Sequence, residues 1–147
     1  IEVHRPGVGS LMKGLESHKL SNVRLFRNDA VEVLKDNIKN HSLDKVMIFF
    51  PDPWPKKRHH KRRLIQPEFV NLVCSKLKQG GVIHLATDWE HYAMQMMDVL
   101  SSEPRLNNLA ENGGFAVCND RPQTKFERRG LRLGHGVWDL LFQFNQN

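Results

Sequence analysis

Val46-Met47-Ile48-Phe49-Phe50-Pro51-Asp52-Pro53-Trp54-Pro55 runs from unbroken apolar residues into three prolines that bracket one carboxylate and one indole. A short apolar run ended by turn chemistry reads as a strand covered on both faces. Proline gives no N–H to a sheet ladder and disfavours helix in the residue before it. The chain therefore leaves its sheet at Pro51 and carries Asp52 and Trp54 in a stiff extended loop. Six Lys/Arg in eight residues follow at once, Lys56, Lys57, Arg58, Lys61, Arg62 and Arg63, with His59 and His60 between them. A basic run by itself reads as a solvated face, and Pro-Asp-Pro by itself as a turn. Their conjunction at the carboxyl end of a strand, where open α/β sheets bind ligands, suits a site that receives a base while gripping a phosphate backbone.

Working outward, the same alternation of strand and helix repeats. Ile1-Glu2-Val3 reads as the tail of a strand, Pro6 and Gly7 as a turn into a helix over 8–17, and Asn22 to Phe26 as a second short strand. Asp29 followed by Glu32 has N-terminal capping spacing for a helix from Ala30 to Ile38, with Val31, Leu34 and Ile38 on one face. Pro67 fits the first turn of a helix whose stripe is Phe69, Val70, Val73, Cys74 and Leu77, stopped by Gly80-Gly81. Val82 to Ala86 is a fourth strand, and Thr87-Asp88-Trp89-Glu90 opens a helix to about Leu100 with Tyr92, Met96 and Val99 inward. Phe115–Cys118 and Gly136–Phe144 are the last strands, expected to pair antiparallel. The pattern is α/β, a doubly wound and mostly parallel sheet in one domain. It sets four acids, Glu2, Asp29, Asp52 and Asp88, along strand ends, more than helix capping alone explains.

Composition narrows the partners. The chain has 147 residues, 39% of them hydrophobic, enough for a single packed core. A net charge of +6, clustered at 56–63 and 121–132, favours a polyanion. The two cysteines, Cys74 and Cys118, form neither a metal spacing nor a disulfide framework, which points to a reducing, cytoplasmic setting. No apolar run reaches the ~20 residues of a membrane span. The histidines are scattered apart from His59-His60, where neighbouring cations disfavour a metal, so no metal is expected. A hydrolase built on Asp52 and a histidine lacks a nucleophile or a metal set to accompany it.

Phe50-Pro51-Asp52-Pro53-Trp54, the basic run, Ala86-Thr87-Asp88-Trp89-Glu90, Thr124-Lys125-Phe126-Glu127 and Gly134-His135-Gly136, in that order, resemble the bacterial tRNA (guanine-N7)-methyltransferases. The resemblance implies the class I (Rossmann-like) methyltransferase fold, S-adenosylmethionine as cofactor and the variable-loop guanosine of tRNA as target. A monomer or a homodimer is expected. The resemblance also implies an upstream strand and glycine-rich turn. Gly7-Val8-Gly9 does not replace that turn, because it follows Glu2 instead of preceding it. The expectation is an N-terminally truncated member of the family, the C-terminal portion of the catalytic domain, with a non-catalytic RNA-binding fragment as the alternative.

Particular residues then acquire roles. Glu2 stands where an acid takes ribose hydroxyls, and Asn28 and Asp29 where acceptors meet the adenine amine; Asp29 has an equally good reading as a helix cap. Asp52 is the expected catalytic residue and also borders the cofactor. Guanine N7 carries a lone pair and no proton, so the task is alignment with the sulfonium methyl and stabilisation of the positive charge that develops on the purine. Trp54 either stacks on a base or packs the loop. By resemblance Lys56, Asp88, Thr124, Lys125, Phe126 and Glu127 bind substrate, although Thr87 with Glu90 and Thr124 with Glu127 also have capping-box spacing. Lys57, Arg58, Lys61, Arg62 and Arg63 are expected phosphate contacts, with Arg121, Lys125, Arg128 and Arg129 extending the track.

Overall fold

The computed structural model describes residues 1–117, 121–124, 127, 128, 132, 134 and 136–146. The chain forms two compact units, Ile1–Lys39 and Asn40–Asn147.

The first unit holds two helices. Helix α1 spans Arg5–Ser17, with Pro6 in its first turn and the His4 ring accepting from the Gly7 N–H at 3.3 Å. It starts three residues before the expected position because proline is pre-shaped for a first helical turn. Helix α2 spans Ala30–Asp36, and Asp29 caps it by accepting from the Val31 N–H at 2.8 Å. It buries Val33 and Leu34 and ends before Ile38. Neither expected strand forms: Ile1–Val3 and Asn22–Phe26 share one backbone hydrogen bond, Glu2 N–H to Phe26 O, at 3.0 Å. Val3 is 66% exposed, so the apolar alternation here has no covered face to define a strand.

The second unit is a four-stranded mixed sheet in the order β1-β2-β4-β3. Strand β1 (Leu43–Phe49) and strand β2 (Leu77–Thr87) run parallel, joined by helix α3 (Pro67–Lys76). Helix α4 (Glu90–Ser101) leads to the short strand β3 (Leu106–Asn108), and β4 (Trp138–Phe144) lies antiparallel between β2 and β3. Helices α3 and α4 pack on each other, and α4 lies on β2, β3 and β4. The core joins Phe69, Val73, Leu77, Leu85, Tyr92, Met96, Leu140 and Phe142, all at most 7% exposed.

Three local expectations change. Gly80-Gly81 does not stop α3, which has already ended at Lys76; the pair sits inside β2. Gly80 has φ +78°, and a Cβ on Gly81 would lie 2.9 Å from Lys78 O and 3.2 Å from Leu43 O. The glycines thus permit the register jump between Leu43↔Leu77 and Lys45↔Val82. On α4, Leu100 is fully buried while Val99 is half-buried. The strand expected at Phe115–Cys118 reduces to one antiparallel bridge, Ala116↔Asp139, with Cys118 outside the described residues.

Candidate active site

The loop after β1 is built around Asp52. The Phe50 N–H bonds Ala86 O at 2.8 Å, so pairing with β2 continues one residue past the strand. Phe50 (φ +53°) and Trp54 (φ +42°) then both adopt the left-handed region, on either side of Pro51-Asp52-Pro53. Each such non-glycine residue costs about 1–3 kcal/mol and persists only where its surroundings hold it. Part of the hold is local, since Asp52 Oδ1 accepts from the Trp54 N–H at 3.1 Å in an Asx turn. The Asp52 side chain remains exposed. The Trp54 ring packs against the basic run, with the Arg62 guanidinium 5.0 Å from its centre and the His59 ring edge-on at 5.8 Å.

The basic run winds into a single 3₁₀ helix, Lys57–Arg62. Lys56, Lys57, Arg58, Lys61 and Arg62 are exposed, as phosphate contacts must be. Arg63 is not: it is 2% exposed, donates from Nε to Pro53 O at 2.8 Å and lies over the Tyr92 ring at 4.7 Å. Its expected role as a phosphate contact is corrected, because its guanidinium faces the core side of the loop.

Asp88 follows the end of β2, as Asp52 follows β1, and the register Phe49↔Ala86 puts both acids beyond the same edge of the sheet. The capping box expected of Thr87 and Glu90 does not form. Thr87 Oγ1 accepts from the Trp89 N–H at 3.3 Å, and among the described residues no side chain caps α4. The Asp88 carboxylate has no hydrogen-bond partner among the described residues, which leaves it available for a ligand. It borders a hollow of about 380 Å³ lined also by Trp89, Glu90, His91, Gly136 and Trp138. Asp52 is not among those lining residues. Trp138 sits opposite Thr87 across β2–β4, and a Cβ on Gly136 would fall 3.2 Å from its ring. Two indoles beside free acids can take a flat base with polar edges. Trp138 escaped the sequence reading; its one signal is a large aromatic opening the last apolar strand.

A buried ionic network underlies this edge. Arg121 donates from Nε and Nη2 to the two Asp139 oxygens at 2.8 and 2.9 Å, and from Nη1 and Nη2 to Glu127 at 2.5 and 3.0 Å. His84 Nε2 meets Asp139 Oδ1 at 2.8 Å, and since a carboxylate only accepts, the proton is on Nε2. Hydrogen bonding to Asp139 raises the Arg121 pKa, burial opposes this, and Glu127 adds to the rise. Burial alone pushes the Asp139 carboxyl up, but hydrogen bonds from Arg121 and His84 outweigh it and hold it below its ordinary value. The guanidinium also lies 5.6 Å from the ring centres of Phe49 and Phe50. Its side chain is only 6% exposed, so Arg121 does not extend the phosphate track; Arg128 and Arg132 are exposed.

The box spacing at Thr124 is realised: Glu127 N–H donates to Thr124 Oγ1 at 3.1 Å and Thr124 N–H to Glu127 Oε2 at 3.3 Å. Glu127 is 8% exposed. Lys125, Phe126, Arg129 and His135 lie outside the described residues. Cys74 is no nucleophile, because burial, then the Glu103 charge, pushes its thiol up to about 11. Among the described residues no three His, Cys, Asp or Glu side chains group as metal ligands, and no helix is long and apolar enough to cross a membrane.

In the first unit Glu2 Oε1 accepts from the His4 N–H at 2.7 Å, and Asn28 Oδ1 from the Asp29 N–H at 2.9 Å. The Glu2 to Phe26 backbone bond brings these segments side by side. Asp29 serves its helix, as the capping alternative required, with one oxygen. The second oxygens of Glu2 and Asp29 have no hydrogen-bond partner among the described residues. Such free acceptors fit a ribose diol and an adenine amine.

The family model described as "Putative methyltransferase" matches residues 1–140. The chain belongs to this methyltransferase family. The tRNA (guanine-N(7)-)-methyltransferase of Pseudomonas aeruginosa (strain UCBPP-PA14) is 60% identical over 144 residues, covering 97% of this chain and 59% of that protein. The enzyme of the same name from Nitrosospira multiformis is 59% identical over 146 residues, covering 99% of this chain and 63% of its own. The chain thus spans about three-fifths of the length of the curated relatives it matches. Among solved structures, a methyltransferase homolog from Pyrococcus horikoshii aligns with TM-score 0.62 at 13% identity, over 97% of this chain and 51% of that one. A tRNA (m1A58) methyltransferase from Aquifex aeolicus aligns with TM-score 0.57 at 11% identity, over 99% and 52%. At such identities the likeness speaks for the fold alone, and the fold is the methyltransferase one expected from the motifs. The relatives bear out the resemblance read from Phe50–Trp54, Ala86–Glu90 and Thr124–Glu127.

Proposed function

We propose that this methyltransferase chain carries the catalytic and RNA-gripping rim of an S-adenosylmethionine-dependent enzyme that methylates N7 of the variable-loop guanosine in tRNA. One observation carries the reading: Asp52 and Asp88 follow the ends of two paired parallel strands, beside a turn that exposes five cations. When bound, the cofactor supplies a methyl group on a sulfonium. Guanine N7 is nucleophilic without deprotonation, so the chain's work is alignment, a fixed carboxylate near the developing purine cation, and grip on the RNA. Asp52 takes the catalytic place. Asp88, with the two indoles of its hollow, accepts from the guanine N1–H and amino group. Lys56 and Thr124 to Glu127 border the substrate, while Lys57, Arg58, Lys61 and Arg62 hold phosphates. On the first unit Glu2, Asn28 and Asp29 hold the nucleoside part of the cofactor, and both units belong to one methyltransferase domain.

The test is product analysis with methyl-labelled S-adenosylmethionine and two tRNA transcripts, one carrying guanosine and one 7-deazaguanosine at the target. Label as N7-methylguanosine in the first and its absence from the second is the expected result. Equal labelling of both would refute N7 as the acceptor. Salt-sensitive tRNA binding with no transfer, and no calorimetric heat with the cofactor, would favour an RNA-binding fragment.

A further inference from the structure

Five of the six cations in the basic run face solvent, and the sixth turns inward. Arg63 reaches three partners on two elements. Nε donates to Pro53 O at 2.8 Å in the loop; Nη1 donates to Gln95 Oε1 at 2.5 Å and meets His91 Nδ1 at 3.1 Å on α4. The face of Tyr92 lies beneath it. Tyr92 and Gln95 also fix the next turn of chain, through Ile65 N–H to Tyr92 OH at 3.1 Å and Gln95 Nε2–H to Ile65 O at 3.3 Å.

We propose that Arg63 is a positioning residue, a buried bolt between α4 and Pro53 that keeps the strained Pro51–Pro55 loop, and so Asp52, in one conformation. Packing alone does not explain a guanidinium here. Burial pushes its pKa down, only partly offset by Tyr92, and Nη2 is buried without a hydrogen-bond partner among the described residues. An apolar side chain of similar volume would avoid both costs. What it could not do is hold the Pro53 carbonyl while left-handed residues stand at 50 and 54. A proline-rich loop has few N–H groups with which to anchor itself, so its carbonyls must be gripped from outside. This assignment rests on the proposed reaction only for the use to which Asp52 is put.

The experiment compares Arg63→Met and Arg63→Lys with Lys61→Met, at an exposed cation of the same run, in the full chain. Amide exchange at Phe50 and Trp54 is followed by NMR beside Leu85 and Leu141 in the two central strands of the sheet, β2 and β4, and tRNA affinity is measured against salt. Arg63→Met should speed exchange at Phe50 and Trp54 at least tenfold. Leu85 and Leu141 should keep their protection, and the slope of log affinity on log salt should not change. Arg63→Lys, which can keep one contact, should fall between. Lys61→Met should do the reverse, lowering the slope by about 0.7–0.9 with the loop's exchange unmoved. An Arg63 variant that loses slope while the loop stays protected would overturn the proposal, as would equal loss of protection at Leu85 and Leu141 in both Arg63 variants. If the chain binds no tRNA, the functional reading fails and the exchange data alone still decide Arg63.

Discussion

Asp139 shows how a single buried carboxylate binds distant parts of the chain into one edge. It accepts from Arg121 and His84, and Arg121 in turn holds Glu127. Because its folded pKa lies below its unfolded value near 3.9, the folded state takes up its proton less readily than the unfolded chain. Its stabilising contribution is complete above about pH 5 and is lost as pH falls through the lower folded pKa. Asp139→Asn should therefore lower stability at pH 7 by about 3 kcal/mol, the low end for breaking a buried pair, since Glu127 still serves Arg121. It should also flatten the loss of Tm between about pH 5 and pH 2. Tm measured across that range in both proteins checks both effects; a parallel shift at every pH would show that the carboxylate's charge is not the cause. Residues of this kind were not legible in the sequence. Charge type shows that Arg63 and Arg121 are cations, but a basic run looks the same whether its last member faces solvent or the core. Asp139 and His84 gave one faint sign, a polar residue inside each of two apolar strands.

Among the elements, those with a long apolar run or stripe were readable: β1, β4, α3 and α4 lie close to their expected spans, while β2 starts at Leu77 and not at Val82. The expectation that β1 is covered on both faces is corrected, because it is an edge strand of the four-stranded sheet with no buried residue and Met47 is 59% exposed. Elements defined by a neighbour were not readable. Ile1–Val3 and Asn22–Phe26 carry strand-like residues yet share only one hydrogen bond, because a strand is completed by a partner and not by its own composition. The three-residue β3 is too short for any periodicity to announce it. The glycine pair misled for a third reason: helix ends and strand irregularities both use glycine's freedom. Gly81 distinguishes the two uses. Gly81→Ala should cost about 1–3 kcal/mol through its contacts with Lys78 O and Leu43 O, whereas Gly114→Ala, with nothing near its Cβ, should stay within about 0.5 kcal/mol. Urea unfolding of both variants measures this. A neutral Gly81→Ala would mean that the β1–β2 register does not depend on the close approach.

At the scale of the whole molecule, the charge pointed to a polyanion and the motifs resembled a methyltransferase family, and the family match shows a methyltransferase. The candidate site was legible as far as loops speak through sequence. Pro-Asp-Pro-Trp and Thr-Asp-Trp-Glu at the carboxyl ends of β1 and β2 announce themselves by residue type and place. The indole of Trp138 reaches the Asp88 hollow by strand order alone, from 50 residues along the chain, which no local pattern encodes. The proposed role of Asp52, held on this rim, is to orient and stabilise a methyl transfer, while separate cations hold the RNA. It is tested most directly by the single-turnover rate of methyl transfer to tRNA by Asp52→Asn, read beside its tRNA dissociation constant. The rate should fall by about 10²–10³ with affinity within about twofold of the parent chain. An unchanged rate, or a loss of affinity as large as the loss of rate, would contradict it.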